Sequence, residues 1–228
     1  MAQSAPFIHL ATPCYGGQAH VIYMRSLLAL RVACKARGVV WWPNVGGGEA
    51  LIGRGRGAYL SKFLRSEATH LLFVDADIGF PPGSVFRLLD SGRDVVGGLY
   101  PRRAQDFAAV RDGGPLVWEA DELPEPAPAD ADGFRQVAAV GAGFLMVSRA
   151  AAQRLWDAYP KLVAKLGDLH NSGVPDALMV FDSFVEPGTG RYLNDWQAFA
   201  HRWRDLGGEV WADTRSGLTH VGEAALTR

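Results

Sequence analysis

The stretch that decides the fold is THLLFVDADIGFPP, residues 69–82. It opens as an apolar run from His70 to Val74 that stops at two carboxylates, Asp75 and Asp77. A short apolar run of this kind suits the central strand of a parallel sheet. The two aspartates then fall at the strand's carboxyl end, the edge where open α/β sheets take their ligands. Strand alternation puts both side chains on one face. Carboxylates held that close repel unless a cation lies between or beside them, and a hard divalent cation that also bridges phosphate oxygens is a common resolution. The plainer reading is an Asp-x-Asp that only caps a turn. Pro81 and Pro82 stop the strand, and Gly83-Ser84 open a helix at Val85.

Outward from this stretch, the first hundred residues alternate strand and helix. A strand over 6–12 ends in the turn ATPCYGG. A helix over 18–37 carries Val21, Met24, Leu27, Leu28, Leu30 and Val32 as its stripe and stops at Gly38. A second strand spans 39–43, a glycine-rich loop 44–49, a second helix 51–67 and a fourth strand 94–98. The pattern predicts an α/β fold, Rossmann-like, with a mostly parallel sheet flanked by helices. The strand ends at Pro13 and Tyr15, at Asn44, and at Asp75 and Asp77 then converge on one edge.

Beyond residue 100 the pattern loosens. Residues 100–118 read as irregular, and EADELPEPAPADAD, 119–132, as an acidic, solvated loop with too little apolar surface to fold alone. Strands are expected over 134–140 and 144–147, around Gly141-Ala142-Gly143, and a helix over 149–159. Residues 163–174 are ambiguous, and 177–184 suit a strand. Asn194 caps a helix that runs to Leu206, and a short strand follows over 209–212.

The chain has 228 residues, 48% apolar and 21% charged, with a net charge of −1. That is the size of one large domain, and it excludes a polycation that binds nucleic acid in bulk. Cys14 and Cys34 make neither a metal spacing nor a disulfide framework, which fits a reducing compartment. With no signal-peptide pattern and no long apolar run, a cytoplasmic location is expected.

Several residues are candidates for chemistry. Gly46, Gly47, Gly48, Gly53, Gly55 and Gly57 do not form a P-loop, because no Gly-Lys-Ser/Thr follows. They suit a loop and helix start that bring Arg54 and Arg56 to an anion, or else those arginines are plain surface charge. Arg102 and Arg103 follow Pro101 at a sheet edge, where they neutralise a diphosphate or form a solvated turn. Gly141 and Gly143 allow close backbone approach beneath a sugar ring, or mark a tight turn. Asp195 stands in the first turn of its helix, off the stripe of Trp196, Phe199 and Trp203, free to face a cleft. His220 is a lone histidine.

THLLFVDADIGFPP, DVVGGLYPRR, VGAGFLMVSR and RYLNDWQAFAHRWRDLGGEVWADTRSGLTHVG, in this order, resemble the family 2-like glycosyltransferases of the GT-A fold, including the small bacterial and phage forms. The resemblance spans nearly the whole chain as one domain. It makes 1–100 the nucleotide-binding half and 101–228 the acceptor half. It implies a UDP- or GDP-sugar donor and a Mn2+ or Mg2+ ion, with Asp75 and Asp77 as the metal and ribose motif and His220 as the distal metal ligand. Pro13, Tyr15 and Asn44 fall to the nucleoside side, and Arg56 and Arg102 to the diphosphate. Two departures stand out. Gly57 replaces the Asn of an Arg-Asn pair, and Asp195-Trp196 replaces a Glu-Asp pair that supplies the catalytic base. Asp195 is then the candidate base of an inverting hexosyl transfer, with Asp182 as another. The acceptor is a glycan, a lipid-linked sugar, a protein or a hydroxymethylated base of phage DNA. For that last acceptor the local basic pieces are Arg54, Arg56, Arg102, Arg103, His201, Arg202 and Arg204. The alternatives are a non-catalytic sugar-nucleotide-binding module on the same fold and a sugar nucleotidyltransferase. The second would want an arginine directly after the first strand, and none comes before Arg25.

Overall fold

The computed structural model describes residues 5–103, 105, 110–166 and 173–222. The first half runs β1 (Phe7–Cys14), α1 (Val21–Arg37), β2 (Val40–Gly47), α2 (Ile52–Leu64), β3 (His70–Val74), β4 (Ile78–Gly79), α3 (Pro82–Asp90) and β5 (Val95–Gly98). The second runs β6 (Ala120–Asp121), β7 (Phe134–Val137), β8 (Ala139–Val140), β9 (Phe144–Ser148), α4 (Arg149–Ala158), β10 (Val163–Lys165), β11 (Asp176–Leu178), β12 (Phe184–Val185), β13 (Tyr192–Leu193), α5 (Asp195–Asp205), β14 (Val210–Asp213) and β15 (Thr219–His220). Parts of the stretches 100–118 and 163–174 lie outside the described residues.

The apolar run of β3 forms its strand where the sequence places it, third in a seven-stranded sheet of order β2-β1-β3-β9-β5-β14-β7. β2, β1 and β3 are parallel, as are β5 and β14. β9 runs antiparallel between β3 and β5, and β7 antiparallel on the outer edge. Period-two alternation divides the core. Leu71 and Phe73 face α2, α4 and α5, whereas Leu72 and Val74 face α1 and α3. The result is the expected α/β architecture, mixed and mostly parallel with helices on both faces. Strands from both halves of the chain share the one sheet. Among the described residues no helix is long and apolar enough to cross a membrane.

Four expectations need correction. First, residues 44–47 are not loop but the second half of β2, paired from Ala11↔Asn44 to Cys14↔Gly47. Second, the inward face of α1 is Tyr23, Ser26, Leu30 and Cys34, while Val21, Met24, Leu28 and Val32 are exposed. Apolar residues lie all round this helix, so periodicity does not fix its phase. Ser26 is inward because its hydroxyl bonds the Ile22 carbonyl and accepts the Phe80 N–H, at 2.9 and 2.8 Å. Third, 177–184 is not one strand, since β11 pairs with β10 and β12 with β13. Fourth, the acidic stretch is pinned at its start by β6, which pairs with β8. The helix ends follow the sequence more closely. Asn194 and Gln197 make a reciprocal capping box on α5, and Gly38 ends α1 in the left-handed region at φ 70°.

Asp213, at the carboxyl end of β14, is wholly buried. Arg87 of α3 grips it with two bonds of 2.8 and 2.7 Å, and Ser216 donates a third of 2.6 Å. Burial pushes its carboxyl up, but these bonds outweigh burial and hold it below the ordinary carboxylate value. Removing one partner of such a pair strands the other, so Asp213→Ala is expected to cost about 3 kcal/mol. In a thermal melt that is a fall of roughly 6–12 °C. Because the folded value is depressed, the contribution is complete above the unfolded value of about 4 and fades as pH falls below it. The gap between wild type and Asp213→Asn should therefore narrow in acid.

Candidate active site

The carboxyl ends of β1, β2, β3, β5 and β14 share one edge of the sheet. Beyond Val74 the backbone leaves the strand, and the Ile78 N–H turns back to the Asp75 carbonyl at 3.1 Å. Strand alternation therefore no longer applies, and Asp75 and Asp77 take different protein partners.

Asp75 meets Arg56 of α2, whose Nη2 lies 2.9 and 3.2 Å from the two carboxylate oxygens. The Nη1 of the same guanidinium bonds Asp195 Oδ2 at the start of α5. One arginine, 3% exposed, thus bridges two carboxylates from distant parts of the chain. The sequence places Arg56 against a substrate anion and Asp195 unattached. The structure brings them together.

Asp77 meets a second arginine. Its Oδ2 bonds Arg103 Nη2 and lies 3.6 Å from His220 Nε2. The pairing of β15 with β4 sets His220 opposite Ile78. Its Nδ1 donates to the Pro101 carbonyl at 2.8 Å, and Arg103 Nε donates to Nε2 at 2.9 Å. Burial pushes the Asp77 carboxyl up, but the neighbouring His220 and the Arg103 charge outweigh it and hold it low. Burial pushes the His220 imidazole down, yet Asp77 and the Pro101 carbonyl hold it above its ordinary value.

The expected metal set of Asp75, Asp77 and His220 is not assembled as three ligands. Among the described residues no three His, Cys, Asp or Glu side chains gather as a metal set. Asp77 and His220 are neighbours, however, and Asp77 Oδ1 is buried without a hydrogen-bond partner. One carboxylate and one imidazole with an unsatisfied oxygen fit a cation whose remaining ligands are water and phosphate oxygens.

Asp75, Tyr100, Arg102, Arg103, Asp195, Trp196 and His220 line a cleft of about 410 Å³, and Asp77 lies beside it against His220. Arg102 faces Glu119 at 3.5 Å. Tyr100 and Glu119 went unnoticed in the sequence. The signal for Tyr100 was Gly141-Ala142-Gly143, because a Cβ at either glycine would collide with the tyrosine hydroxyl. That hydroxyl accepts the Gly143 N–H at 2.9 Å, so the close approach is made by Tyr100 and not left for a sugar.

The other candidates lie apart. Tyr15, Asn44 and Gly46 to Gly48 line an open depression of about 880 Å³. Pro13 pairs with Gly46 beside it. Arg54 is tied to Glu49 by bonds of 2.7 and 2.8 Å. Arg202 is tied to the Val180 and Asp182 carbonyls, and His201 to Glu186 and Asp205. None of Arg54, His201, Arg202 and Arg204 lines the cleft, so of the basic pieces only Arg56, Arg102 and Arg103 reach it. Asp182 is also absent from its lining, and burial raises its carboxyl.

No known family's sequence profile matches the chain, and no curated protein matches it in sequence. Among solved structures, one similar to it is a glycosyltransferase involved in the glycosylation of the major capsid of PBCV-1. That match covers 67% of this chain and 66% of the other, at 10% identity and a TM-score of 0.32. Another is S. aureus TarS 1-349, covering 92% of this chain and 58% of the other, at 11% identity and a TM-score of 0.42. The match spans less than two thirds of either structure.

Two outcomes are expected. A Cβ on Gly57 would lie 2.7 Å from the Leu178 carbonyl oxygen, which explains why no asparagine follows Arg56. Gly57→Ala gains about 1 kcal/mol of helix propensity and loses roughly 1–3 kcal/mol to overpacking. It should lower the melting temperature. Arg103→Ala frees Asp77 Oδ2, so Mn2+ affinity of the protein alone, read by electron paramagnetic resonance, should rise about tenfold, or 1.4 kcal/mol. Asp77→Ala in that background should abolish the gain.

Proposed function

We propose that the chain is a glycosyltransferase that moves a hexosyl group from a UDP- or GDP-sugar to a hydroxyl acceptor with inversion. The observation that carries this reading is the meeting of Asp75, Asp195 and His220 around one cleft at the carboxyl edge of the sheet, with Asp77 beside His220. Asp75 and His220 stand 145 positions apart in the chain.

Asp77 and His220 would hold a Mn2+ or Mg2+ ion, which supplies positive charge against the departing diphosphate. Arg102 and Arg103, at the mouth of the same cleft, add charge to the phosphate oxygens. Pro13, Tyr15 and Asn44 border the depression that receives the nucleoside. Arg56 is a positioning residue that fixes Asp75 and Asp195 relative to each other. It takes Asp195 Oδ2 and leaves Oδ1 to accept the acceptor's proton. The hydroxyl oxygen then bonds the anomeric carbon, the bond from that carbon to the diphosphate breaks, and the electron pair leaves with the diphosphate.

A second reading is a binding module without turnover. Trp196 favours it, since its indole lines the cleft where the resemblance expects an acid. Calorimetric titration of UDP, GDP, UDP-glucose and GDP-mannose, with and without Mn2+, tests donor binding. Binding of one nucleotide should depend on Mn2+ and vanish in Asp77→Ala. Asp195→Asn should reduce turnover by about 10²–10⁴ while donor affinity holds. An equal loss of donor affinity would remove Asp195 from the role of base. Donor binding without transfer or donor hydrolysis would favour the module.

A further inference from the structure

The outer face of α1 is built from residues three and four apart: Val21, Met24, Arg25, Leu28, Arg31, Val32 and Lys35. Its four apolar members are 57%, 47%, 62% and 71% exposed in chain order. The opposite face of the helix is already buried in the core through Tyr23, Leu30 and Cys34. A helix apolar on every side is ordinarily covered on every side. Among the described residues nothing covers this one. The face continues into a groove of about 740 Å³, where Leu28, Val32 and Lys35 meet Val40 and Trp41 of the edge strand β2.

The charge on this face has one sign. The first acidic residue of the chain is Glu49, so all 24 carboxylates lie from there onward. Residues 1–48 carry Arg25, Arg31, Lys35 and Arg37 and no acid, in a chain whose net charge is −1. Of these four, Arg37 is engaged by Asp90 at 2.6 and 2.7 Å. The other three flank the exposed apolar row.

The occupant must accept aliphatic side chains and basic ones together. A second copy packed face to face would set Arg25, Arg31 and Lys35 against their own counterparts, a like-charge contact. A nucleic acid would answer the charge but not the aliphatic row. An anionic lipid surface answers both, with the apolar row at the acyl boundary and the basic heads reaching to the phosphates. Trp41 at the edge of the groove suits the same interface. We propose that the outer face of α1, with the adjoining end of β2, docks on an anionic lipid surface. The site described above lies close by. The His20 N–H, at the start of α1, donates to the Ala76 carbonyl between Asp75 and Asp77 at 2.8 Å.

The test is sedimentation of the full chain with vesicles of phosphatidylcholine alone and of phosphatidylcholine with about 30% phosphatidylserine. Three basic side chains near the surface should favour the anionic vesicles by roughly 100-fold. Added salt should weaken that preference. Leu28→Asp with Val32→Asp should abolish binding, and so should the charge reversal Arg25→Glu, Arg31→Glu and Lys35→Glu. Both variants change exposed positions, so their melting temperatures should match wild type. Titration with a nucleoside diphosphate reports on the cleft separately and should be unchanged. Wild-type protein left in the supernatant with both vesicle types would overturn the proposal, as would equal binding to both or variants that bind like wild type. A wild-type dimer split by Leu28→Asp with Val32→Asp, with no vesicle binding, would overturn it in favour of a second copy.

Discussion

Both walls of the cleft depend on the guanidinium of Arg56. It lies buried between Asp75, beyond the end of β3, and Asp195, at the start of α5. Without it two carboxylates would face each other with little solvent between them, and one would have to take up a proton or turn away. A buried guanidinium is itself costly unless paired, so the three groups hold only as a set. What delivers Arg56 to this place is steric. Cβ atoms on Gly53 and Gly57 would press on the Phe181 and Leu178 carbonyls at 2.6 and 2.7 Å. Bare backbone at those positions lets α2 lie directly on the chain at 178–181, with Arg56 emerging between the two contacts. The glycines at the helix start in the sequence are the bearing surface of that helix.

The two aspartates of the Asp-x-Asp therefore have counter-ions of different kinds. The side chain of Arg56 is 4% exposed and boxed in by backbone, whereas that of Arg103 is 58% exposed on an irregular segment. The first is part of the scaffold. The second, spanning Asp77 and His220, is held by little besides those two groups and is the one that an incoming ligand can exchange with.

How far the sequence reveals this depends on whether the signal is local. The strand of β3, the caps at Asn194 and Gly38, and the carboxylates at a sheet edge are all encoded within a few residues, and each is where the sequence indicates. The sheet order is not local. The insertion of β9 between β3 and β5 pairs residues about seventy positions apart, and nothing in residues 70–98 announces it. The second partner of Arg56 follows the same rule, since Asp195 is 139 residues away. The phase of α1 fails for another reason. Its apolar residues encircle the helix, and only tertiary contacts, such as the Ser26 bond to Phe80, choose the inner side. The departure at Gly57 is visible in the sequence, but its cause is a carbonyl on a segment more than a hundred residues later.

The sheet order also sets a timetable. Among the described residues β7, Phe134–Val137, has a single neighbour in the sheet, β14, Val210–Asp213, which also closes the free edge of β5. As the chain emerges from a ribosome, β5 and β7 are both made long before the strand that joins them. Through that interval β5 presents an open row of backbone donors and acceptors, the kind of edge that recruits strands from other molecules. For this architecture the exposure of that edge lasts until residues 210–213 fill the gap.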